Sequence, residues 1–516
     1  MASPGHEKNL QQQRMPTLFE AVFVLLFAGG AILYTAQVLN EQIHISLAFS
    51  AAFATVVAMV RLKVKWAALE EAMISSIMMG MKAVLILYIV GMLIGTWILS
   101  GVVPSMVYYG LNIISPSYFL IAALFISSIV SLSTGTAWGT TGTVGIALMG
   151  IGGGLGVPAP VTAGFVISGA YLGDKMSPLS DTTNLAPAMI GIDIFQHIRA
   201  LLWTTLPAYL IVIVLAVVMG GRYADGIIDV ENIHAIQALM HGEFNVALIG
   251  FFPPVLVIGL AAMKLPAIPA IFTGVLAGIV LALVQRVEIG VLYGVLLHGY
   301  EPVLMANILA AGQDNLPAVA ALLSEANVSG VSYESALEAA RTLNKLMARG
   351  GLQSMNDTVA LILCALCFGG VLDRCGFLET LLEPLMRRVK TVGGLVTSTI
   401  AACFVTNVCA ADQYVGIIVP GRMFKERFDK WGLHPRMLSR SLDDSGTMTS
   451  ALVPWNTCGV YQAAVLGVAT MEYLPYAFLN WLSPLVAIII TYLGIGVAWS
   501  CKSSPEGLVI SRTKPE

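Results

Sequence analysis

The chain has 516 residues, of which 57% are hydrophobic and 11% are charged, and its mean hydropathy is +0.82. Soluble globular domains carry about 25% charged residues, so this composition excludes a soluble domain and indicates an integral membrane protein. The formal net charge of −3 forms neither a basic patch nor an acidic tail, and it therefore points to no nucleic-acid partner.

The N-terminal tail, residues 1–17, is polar, and an apolar run from Leu18 to Leu39 follows it. This run reaches the roughly 20 residues that cross a bilayer. Because it also lacks a convincing cleavage site, we predict a first transmembrane helix rather than a removable signal peptide. Further apolar segments bring the expected number of full spans to about ten: His44–Val60, Met81–Leu99, Tyr118–Val130, Ile198–Met219, Asn245–Ala262, Pro266–Val284, Thr358–Leu372, Gly393–Val408 and Pro475–Trp499.

Lysine and arginine are concentrated in the N-terminal tail and in three later loops. The loop between the first two predicted spans, residues 40–43, contains none. By the positive-inside rule, the N-terminus and the basic loops are expected to face the cytoplasm. The basic residues of the loops are Arg61, Lys63 and Lys65, then Arg387, Arg388 and Lys390, and finally Arg422, Lys425, Arg427 and Lys430.

A polar connector, residues 285–356, separates the two apolar halves, and residues 500–516 form a short C-terminal tail. Within the connector, residues 332–348 place apolar side chains on one face and charges on the other, which predicts an amphipathic surface helix. The connector is either a solvated link or a regulatory module. The seven cysteines stand mostly in apolar segments without a second pair or a histidine cluster near Cys364 and Cys367, so we expect packing residues and no disulfides.

The most informative stretch runs from Ser131 to Asn184, because it places Asp174, Lys175 and Asp181 inside an apolar chain. Ionisable groups at membrane depth usually face a water-filled or ion-filled site. The stretch is also rich in Gly, Ser, Thr and Pro, and broken helices are tolerated in a membrane only where they line a cavity or are buried in protein. We therefore predict a transporter whose cation site is built from interrupted helices.

A weak internal repeat relates the two halves of the chain. TVGIALMG at residues 143–150 resembles YVGIIVPG at residues 414–421, an offset of 271 (414 − 143), and pairing Asp174 with Asp444 gives 270 (444 − 174). Paired interrupted segments point to a midplane site in a transporter built from structural repeats. We expect repeat halves around residues 118–219 and 358–499, related by a pseudo-twofold axis in the membrane plane, with Asp174 and Asp444 in one site.

Na⁺ and Li⁺ are hard cations that prefer oxygen ligands. A carboxylate that is removed from water favours its protonated form, so one site can hold a proton or a cation in turn. A lone Ser or Thr commonly bonds to its own helix, whereas clustering around Asp174 and Asp181 indicates a site. We expect Na⁺ at these two residues. The full set of candidate cation and proton ligands is Asp174, Asp181, Ser177, Thr182, Thr183, Asn184, Ser133, Thr134 and Thr136, with Asp412, Asp444 and Asn456 from the second half.

Two charged neighbours of the candidate ligands have alternative interpretations. Lys175 either pairs with Asp174, acts as a fixed charge that tunes the site, or extends to the membrane interface. Asp193 is interpreted as a helix cap rather than a ligand.

Three segments of the chain resemble the NhaC-type Na⁺/H⁺ antiporter family: STGTAWGTTGTVGIALMG, GDKMSPLSDTTNLAPA and SLDDSGTMTSALVPWNTCG. The resemblance covers about Leu18 to Trp499, residues 18–499 forming the membrane domain. It implies a multi-pass secondary antiporter of the bacterial inner membrane, with the all-α fold of the ion-transporter superfamily, two inverted repeats and helix-broken re-entrant hairpins. It also implies transported Na⁺ or Li⁺ and H⁺ with no cofactor, and it leaves a homodimer open as the assembly. The residues to which it gives a functional role are Asp174, Ser177, Asp181, Thr182, Thr183 and Asn184.

Two other classes of function are alternatives to Na⁺/H⁺ exchange. A membrane-embedded enzyme would need a catalytic motif, and the sequence contains no HExxH, GxSxG or clustered histidines. It contains no GxxxxGK[ST] run either, so transport is expected without a nucleotide. The serious rival is a Na⁺-coupled carrier or exchanger of a small organic anion such as malate or lactate, or of an amino acid. A free cationic side chain in the pocket would favour the rival, and a pocket of oxygens alone would favour Na⁺/H⁺ exchange.

Overall fold

The computed structural model describes residues 14–224, 230–312, 315–387 and 389–500. Within these ranges the chain is all-helical, and two isolated β-bridges are its only extended pairings. The all-α polytopic fold predicted from the sequence is therefore confirmed. Residues 1–13, Arg388 and the C-terminal residues 501–516, which include Cys501, lie outside the described residues, so the expectations for them stay predictions.

Short breaks, rather than long loops, separate most of the successive helices. In the first half, the α-helices are Leu18–Tyr34, His44–Arg61, Trp66–Leu99, Val102–Ile113, Pro116–Thr134, Ala137–Thr140, Ile146–Gly154, Ala159–Met176, Asp181–Ile190 and Ile194–Ala224. In the remainder, they are Val230–Glu243, Phe252–Ala262, Ala267–Val284, Ile289–His298, Val303–Ala311, Leu316–Glu325, Tyr333–Met347, Asn356–Arg374, Phe377–Arg387, Val392–Ala410, Gln413–Lys430, Pro435–Gly446, Thr457–Leu466, Thr470–Tyr473 and Phe478–Tyr492. Single turns of π-helix at Thr35–Leu39 and Thr141–Gly145, and of 3₁₀-helix at Leu248–Phe251, Gln353–Met355 and Met448–Leu452, complete the set.

Eight helices in the described ranges are long and apolar enough to cross a membrane, and they coincide with eight of the ten predicted spans. The other two segments form shorter helices. Residues 248–262 bend by 91° against the preceding helix, and Phe478–Tyr492 has 15 residues. The bent pair raises the count to nine if it is taken as one span.

The two halves repeat one backbone pattern. Pro116–Thr134 and Val392–Ala410 are both helices of 19 residues. Each ends at a residue with left-handed backbone, Gly135 (φ 69°) in the first and Ala411 (φ 58°) in the second. The offset between these residues is 276 (411 − 135). The first pair of helices therefore shows the internal repeat directly.

The same offset continues through the second pair of helices. Asp181–Ile190 and Thr457–Leu466 each have ten residues, begin after a side-chain cap and end at a left-handed glycine. The offset of 270 predicted from the sequence is therefore wrong, because Asp174 corresponds to Ser450 and not to Asp444. Glycine-rich segments resemble one another by composition, whereas equivalent positions of this repeat carry different residue types.

One face of the molecule, here called the basic face, gathers arginines from separate loops. Arg14 and Arg61 both pair with Glu20, at 2.9 and 3.1 Å, and Glu20 is buried. Thr380 Oγ1 donates a hydrogen bond to the backbone carbonyl of Pro16 at 3.3 Å. The N-terminal segment and the helix that contains Thr380 therefore meet at this face.

A helical hairpin of the second half enters from the basic face. It consists of Val392–Ala410 and Gln413–Lys430, which pack against each other. Arg427, near its end, donates to the backbone carbonyl of Met386, which precedes its start, at 2.5 Å. Both ends of this second hairpin thus lie at the basic face, and its tip at residues 411–412 lies inside the protein.

The equivalent first hairpin, residues 116–154, enters from the opposite face. Trp66–Leu99 has 34 residues, about 51 Å at 1.5 Å per residue, and so carries the chain across from the basic face. Val102–Ile113 follows it and packs against Ile146–Gly154, the end of the first hairpin. The two hairpins therefore have inverted orientations, as the fold class requires.

The polar connector is folded rather than simply solvated. Its helix Tyr333–Met347 confirms the predicted amphipathic helix, and it packs against Val230–Glu243 and Val303–Ala311. Gln285 Nε2 donates to the backbone carbonyl of Ser100 at 2.9 Å, so the connector lies at the opposite face. The apolar residues that the amphipathic helix buries are Ala336, Leu337, Ala339, Ala340, Leu343 and Met347.

Candidate functional site

A central cavity of about 280 Å³ lies where the breaks of both halves meet. Gly135 and Thr136 line it from the first hairpin, and Asp412 and Gln413 line it from the second. The inverted repeat therefore places chemically different residues at equivalent positions around one space. The polar and charged side chains that line this central cavity are Lys82, Thr134, Thr136, Asp174, Asp181, Thr182, Lys264, Asp412, Gln413, Tyr414 and Thr457.

Four helices begin at the central cavity, and a side chain caps each of them. The capping residues are Thr136, Ser180, Asp412 and Asn456. Asp412 Oδ1, for example, accepts from the backbone N–H groups of Tyr414 at 2.8 Å and Val415 at 3.2 Å. Helix N-termini carry partial positive charge, so the carboxylates of the cavity stand in a field that stabilises negative charge.

Asp174 is buried, with 7% of its surface exposed, and it forms part of the cavity wall. Ser180 Oγ donates to Asp174 Oδ1 at 2.8 Å, and Thr183 Oγ1 donates to the Asp174 backbone carbonyl at 2.6 Å. These bonds cross the break between two helices and fix the position of the aspartate. A carboxylate offers about four acceptor sites, so this arrangement leaves it capacity for a cation.

Asp181 faces the same cavity and forms an ion pair with Lys82. The Asp181 side chain is 59% exposed and the Lys82 side chain 50% exposed. Lys82 therefore occupies the carboxylate at which we predicted Na⁺. Sequence reasoning missed Lys82, although a lysine at the start of a predicted span was a signal that could have identified it.

The structure brings six of the twelve candidate ligands to the cavity: Thr134, Thr136, Asp174, Asp181, Thr182 and Asp412. Thr183 supports Asp174, and Asn456 caps its helix. Ser133 Oγ donates to the Ile129 carbonyl at 2.8 Å, and Ser177 Oγ to that of Leu132 at 2.9 Å. Asn184 Nδ2 donates to the carbonyl of Ser180 at 2.6 Å. Ser133 thus bonds within its own helix, whereas Ser177 and Asn184 bond to backbone carbonyls near the helix breaks.

Asp444, the remaining candidate, lies in a separate buried charge cluster. The cluster consists of Lys175, His197, Arg440, Asp443 and Asp444, whose side chains are fully or almost fully buried. Lys175 Nζ donates to Asp444 Oδ1, so Lys175 pairs with neither Asp174 nor the membrane interface. Asp174 lines the central cavity and Asp444 is not among its lining residues, so the two do not share one site as predicted. Asp444 pairs instead with Lys175, the residue after Asp174 in the chain.

Asp193 caps a helix, as the sequence predicted. Its Oδ2 accepts from the backbone N–H groups of Phe195 at 2.9 Å and Gln196 at 3.2 Å. Among the described cysteines no disulfide is formed, and four of the six are buried.

Comparison with known proteins identifies the family. The sequence profile of the Na⁺/H⁺ antiporter family matches residues 169–299 and 299–495. This chain belongs to the Na⁺/H⁺ antiporter family. It is 37% identical to the Na⁺/H⁺ antiporter NhaC of Alkalihalophilus pseudofirmus, over 92% of this chain and 96% of the relative. The NhaC-type family inferred from the motifs is thus confirmed.

Relatives within this similarity range carry other names too. The chain is 37% identical to the malate-2H⁺/Na⁺-lactate antiporter of Bacillus subtilis, over 94% of this chain and 96% of that protein. It is 31% identical to the arginine/ornithine antiporter ArcD of Halobacterium salinarum, over 95% of each chain. All three are named antiporters, so antiport is the property that their names share.

Proposed function

We propose that this member of the Na⁺/H⁺ antiporter family exchanges Na⁺ for H⁺ across the bacterial inner membrane, and that the exchange takes place at the central cavity. The observation that carries the proposal is the meeting of carboxylates and hydroxyls from both inverted halves around one space. Such oxygen donors suit a hard monovalent cation. Li⁺ has the same ligand preference and is proposed as a second cation.

Asp174 is the proposed site of competition between the two ions. Its carboxyl group is held by Ser180 and lies at the wall of the cavity. A carboxyl group that carries a proton has lost the negative charge that attracts Na⁺, so binding of one ion excludes the other. Thr136 and Thr182 are close enough to line the same space with hydroxyl oxygens.

Asp181 is the proposed second carboxylate, and Lys82 controls its availability. In the structure the Lys82 ammonium neutralises Asp181. An arriving Na⁺ must therefore displace Lys82 before it contacts this carboxylate. Before Na⁺ binds, the Lys82 ammonium thus balances the charge of Asp181. When Na⁺ binds, a contact between Na⁺ and the Asp181 carboxylate replaces this ion pair.

The orientation follows from the basic face. Arg14, Arg61 and Arg427 come from separate parts of the chain and lie at this face. By the positive-inside rule we place it in the cytoplasm, together with the N-terminus. The folded connector then lies on the other side of the membrane.

The proposal is tested by Na⁺-dependent proton flux per folded protein in proteoliposomes. We expect Asp174→Asn to lose exchange, because it keeps the shape of the side chain but can neither titrate nor balance a cation. Asp174→Glu should retain part of it. Asp429→Asn, which neutralises an exposed carboxylate on the basic face, is the matched control. Wild-type flux in well-folded Asp174→Asn would contradict the proposal.

A specific observation supports the rival substrate class. Lys82 and Lys264 both line the central cavity, where four helix N-termini also converge. Such groups could hold the carboxylate of malate, lactate or an amino acid. Lys82 is paired with Asp181, whereas the exposed Lys264 forms no ion pair within the part of the chain that the structure describes, so Lys264 meets the criterion of a free cation and Lys82 does not. Offering malate and arginine with and without Na⁺ distinguishes the two classes, because uptake of either one would establish the rival.

A further inference from the structure

We propose that Lys175 and Asp444 form a positioning pair that holds Asp174 at the wall of the central cavity, and that Asp444 does not bind the transported cation. The inference rests on the proposed role of Asp174 as the ion-binding carboxylate. It assigns a role to the buried charge cluster, which the exchange of Na⁺ and H⁺ at the cavity leaves unexplained.

The pair joins the two inverted halves behind the cavity. Lys175 is in the last turn of Ala159–Met176 in the first half, and Asp444 is in Pro435–Gly446 in the second. Both side chains are fully buried. A contact between residues so far apart in the chain fixes the two halves against each other at this level.

Further hydrogen bonds hold the pair from two other helices. Asp444 Oδ1 accepts from Thr204 Oγ1 at 2.8 Å and from Ser483 Oγ at 3.1 Å. Lys175 Nζ also donates to Ser483 Oγ at 2.5 Å. The ammonium and the carboxylate are thus fixed by two hydroxyls, and neither Lys175 nor Asp444 is among the described residues that line the central cavity.

The remaining members of the cluster balance its charge. Arg440 Nε lies 4.0 Å from Asp444 Oδ2, and its two terminal nitrogens donate to Thr491 and to the Gly496 carbonyl, both at 3.2 Å. Asp443 contacts His197 and Thr447 instead. The cluster thus contains two cations, Lys175 and Arg440, and two carboxylates, and Asp444 is the carboxylate that lies against both cations.

Helix geometry converts this anchor into a constraint on Asp174. Successive side chains of an α-helix point about 100° apart, so a fixed Lys175 fixes the direction of Asp174. The helix ends two residues after Asp174, where a terminal turn would otherwise fray. Ser180 and Thr183 then hold Asp174 from the far side of the break.

Removing one partner has different consequences from removing both. In Asp444→Asn the Lys175 ammonium loses its carboxylate, and the adjacent residue in the chain, Asp174, carries another. The ammonium would then compete with Na⁺ for Asp174. In Lys175→Met that competitor is absent, and Asp174 loses only its anchor. The double variant removes one cation and one carboxylate, so the net charge of the cluster is unchanged and only the anchor of Asp174 is lost.

The test is the apparent KM for Na⁺ and the maximal flux per folded protein in proteoliposomes. We expect Asp444→Asn to raise the KM about tenfold or more, whereas Lys175→Met and the double variant Lys175→Met/Asp444→Asn, which lose the anchor but carry no competing ammonium, should raise it only about two- to fivefold. Ser483→Ala, which removes one bridging hydroxyl and no charge, should raise it about two- to fivefold. Asp429→Asn is the control.

Three results would overturn the inference. A double variant as impaired as Asp444→Asn would make Asp444 a cation ligand. A wild-type KM in Asp444→Asn with a low folded yield would make the pair merely structural. If Asp444→Asn does not fold, an unchanged KM in Ser483→Ala decides against positioning. Asp174→Asn is measured in parallel, because wild-type exchange in that variant refutes the proposed function itself, whatever the pair does.

Discussion

Replacing Lys82 by Met removes the ammonium that neutralises Asp181, and we expect the apparent KM for Na⁺ to fall. In the structure this ammonium occupies the carboxylate that Na⁺ is proposed to contact. Part of the free energy of Na⁺ binding is therefore spent on breaking the ion pair. A methionine of similar length keeps the packing of the side chain but no longer competes with the cation.

The size of the effect follows from the exposure of the pair. Because the two side chains are 50% and 59% exposed, solvent screens their attraction. Exposed ion pairs are worth about 0–1 kcal/mol. Since 1.4 kcal/mol corresponds to about a tenfold change in affinity, the KM should fall by at most about fivefold. A buried pair would have predicted a much larger change.

The assay is Na⁺-dependent dissipation of an imposed pH gradient in proteoliposomes, normalised to folded protein. Lys430→Met is the matched control, because Lys430 forms a similarly exposed pair with Glu426 at 2.7 Å on the basic face. Its KM should equal that of wild type. A KM that rises threefold or more in Lys82→Met would refute the competition and would make Lys82 part of substrate binding instead.

Three further predictions concern other parts of the molecule. Asp181→Asn should abolish Na⁺-coupled proton flux, whereas Asp181→Glu should keep part of it with an altered KM; undiminished flux in well-folded Asp181→Asn would remove Asp181 from the site. Gly135→Ala should lower thermal stability by about 1–2 kcal/mol, because φ is 69° and a Cβ would lie 2.9 Å from the Ser180 nitrogen, whereas a Cβ at Gly29 meets nothing. Gly29→Ala is its control in thermal unfolding, and equal Tm values would contradict the strain. Burial raises the pKa of Glu379, outside the candidate spans, to about 7 from an ordinary value of 4.5. The folded state therefore holds a proton that the unfolded chain releases, and stability should be lost as pH rises from about 4.5 to 7. Glu379→Gln should flatten this part of the Tm profile, and an unchanged slope would exclude Glu379 as its source.

The class of the protein and the region of the site could be predicted from the sequence, because both depend on local features. Apolar length predicted eight spans that the structure contains as helices. The polar, broken stretch around Asp174 and Asp181 does line a cavity, and Asp412 joins it from the second half. Placing ionisable groups and helix breaks at membrane depth costs free energy. Their position in the sequence therefore indicates where a functional site lies.

The register of the repeat could not be predicted, because its equivalent positions share a backbone role and not a residue type. Thr136 corresponds to Asp412 and Ser180 to Asn456, and each caps a helix with a different acceptor group. Left-handed backbone is provided by a glycine in one half and by Ala411 in the other. Alignment by residue type therefore favoured the similar glycine-rich segments and gave a wrong offset.

The two ion pairs could not be predicted from the sequence either. Lys82 and Asp181 are 99 residues apart, and Lys175 and Asp444 are 269 apart. Neither spacing has a local periodicity, so only the packing of the helices brings these charges together. Asp444 is predicted as a cation ligand because the offset of 270 pairs it with Asp174, whereas its surroundings assign it to Lys175.

The central claim is that the protein exchanges Na⁺ for H⁺ at the central cavity without a nucleotide. The most direct measurement is the flux of the purified wild-type protein in proteoliposomes under an imposed pH gradient alone, with Na⁺, Li⁺ and malate offered separately. We predict uptake of Na⁺ and Li⁺ coupled to proton movement, without any requirement for malate. Proton-coupled uptake of malate with no response to Na⁺ or Li⁺ alone, or flux that appears only when ATP is supplied, would contradict the account.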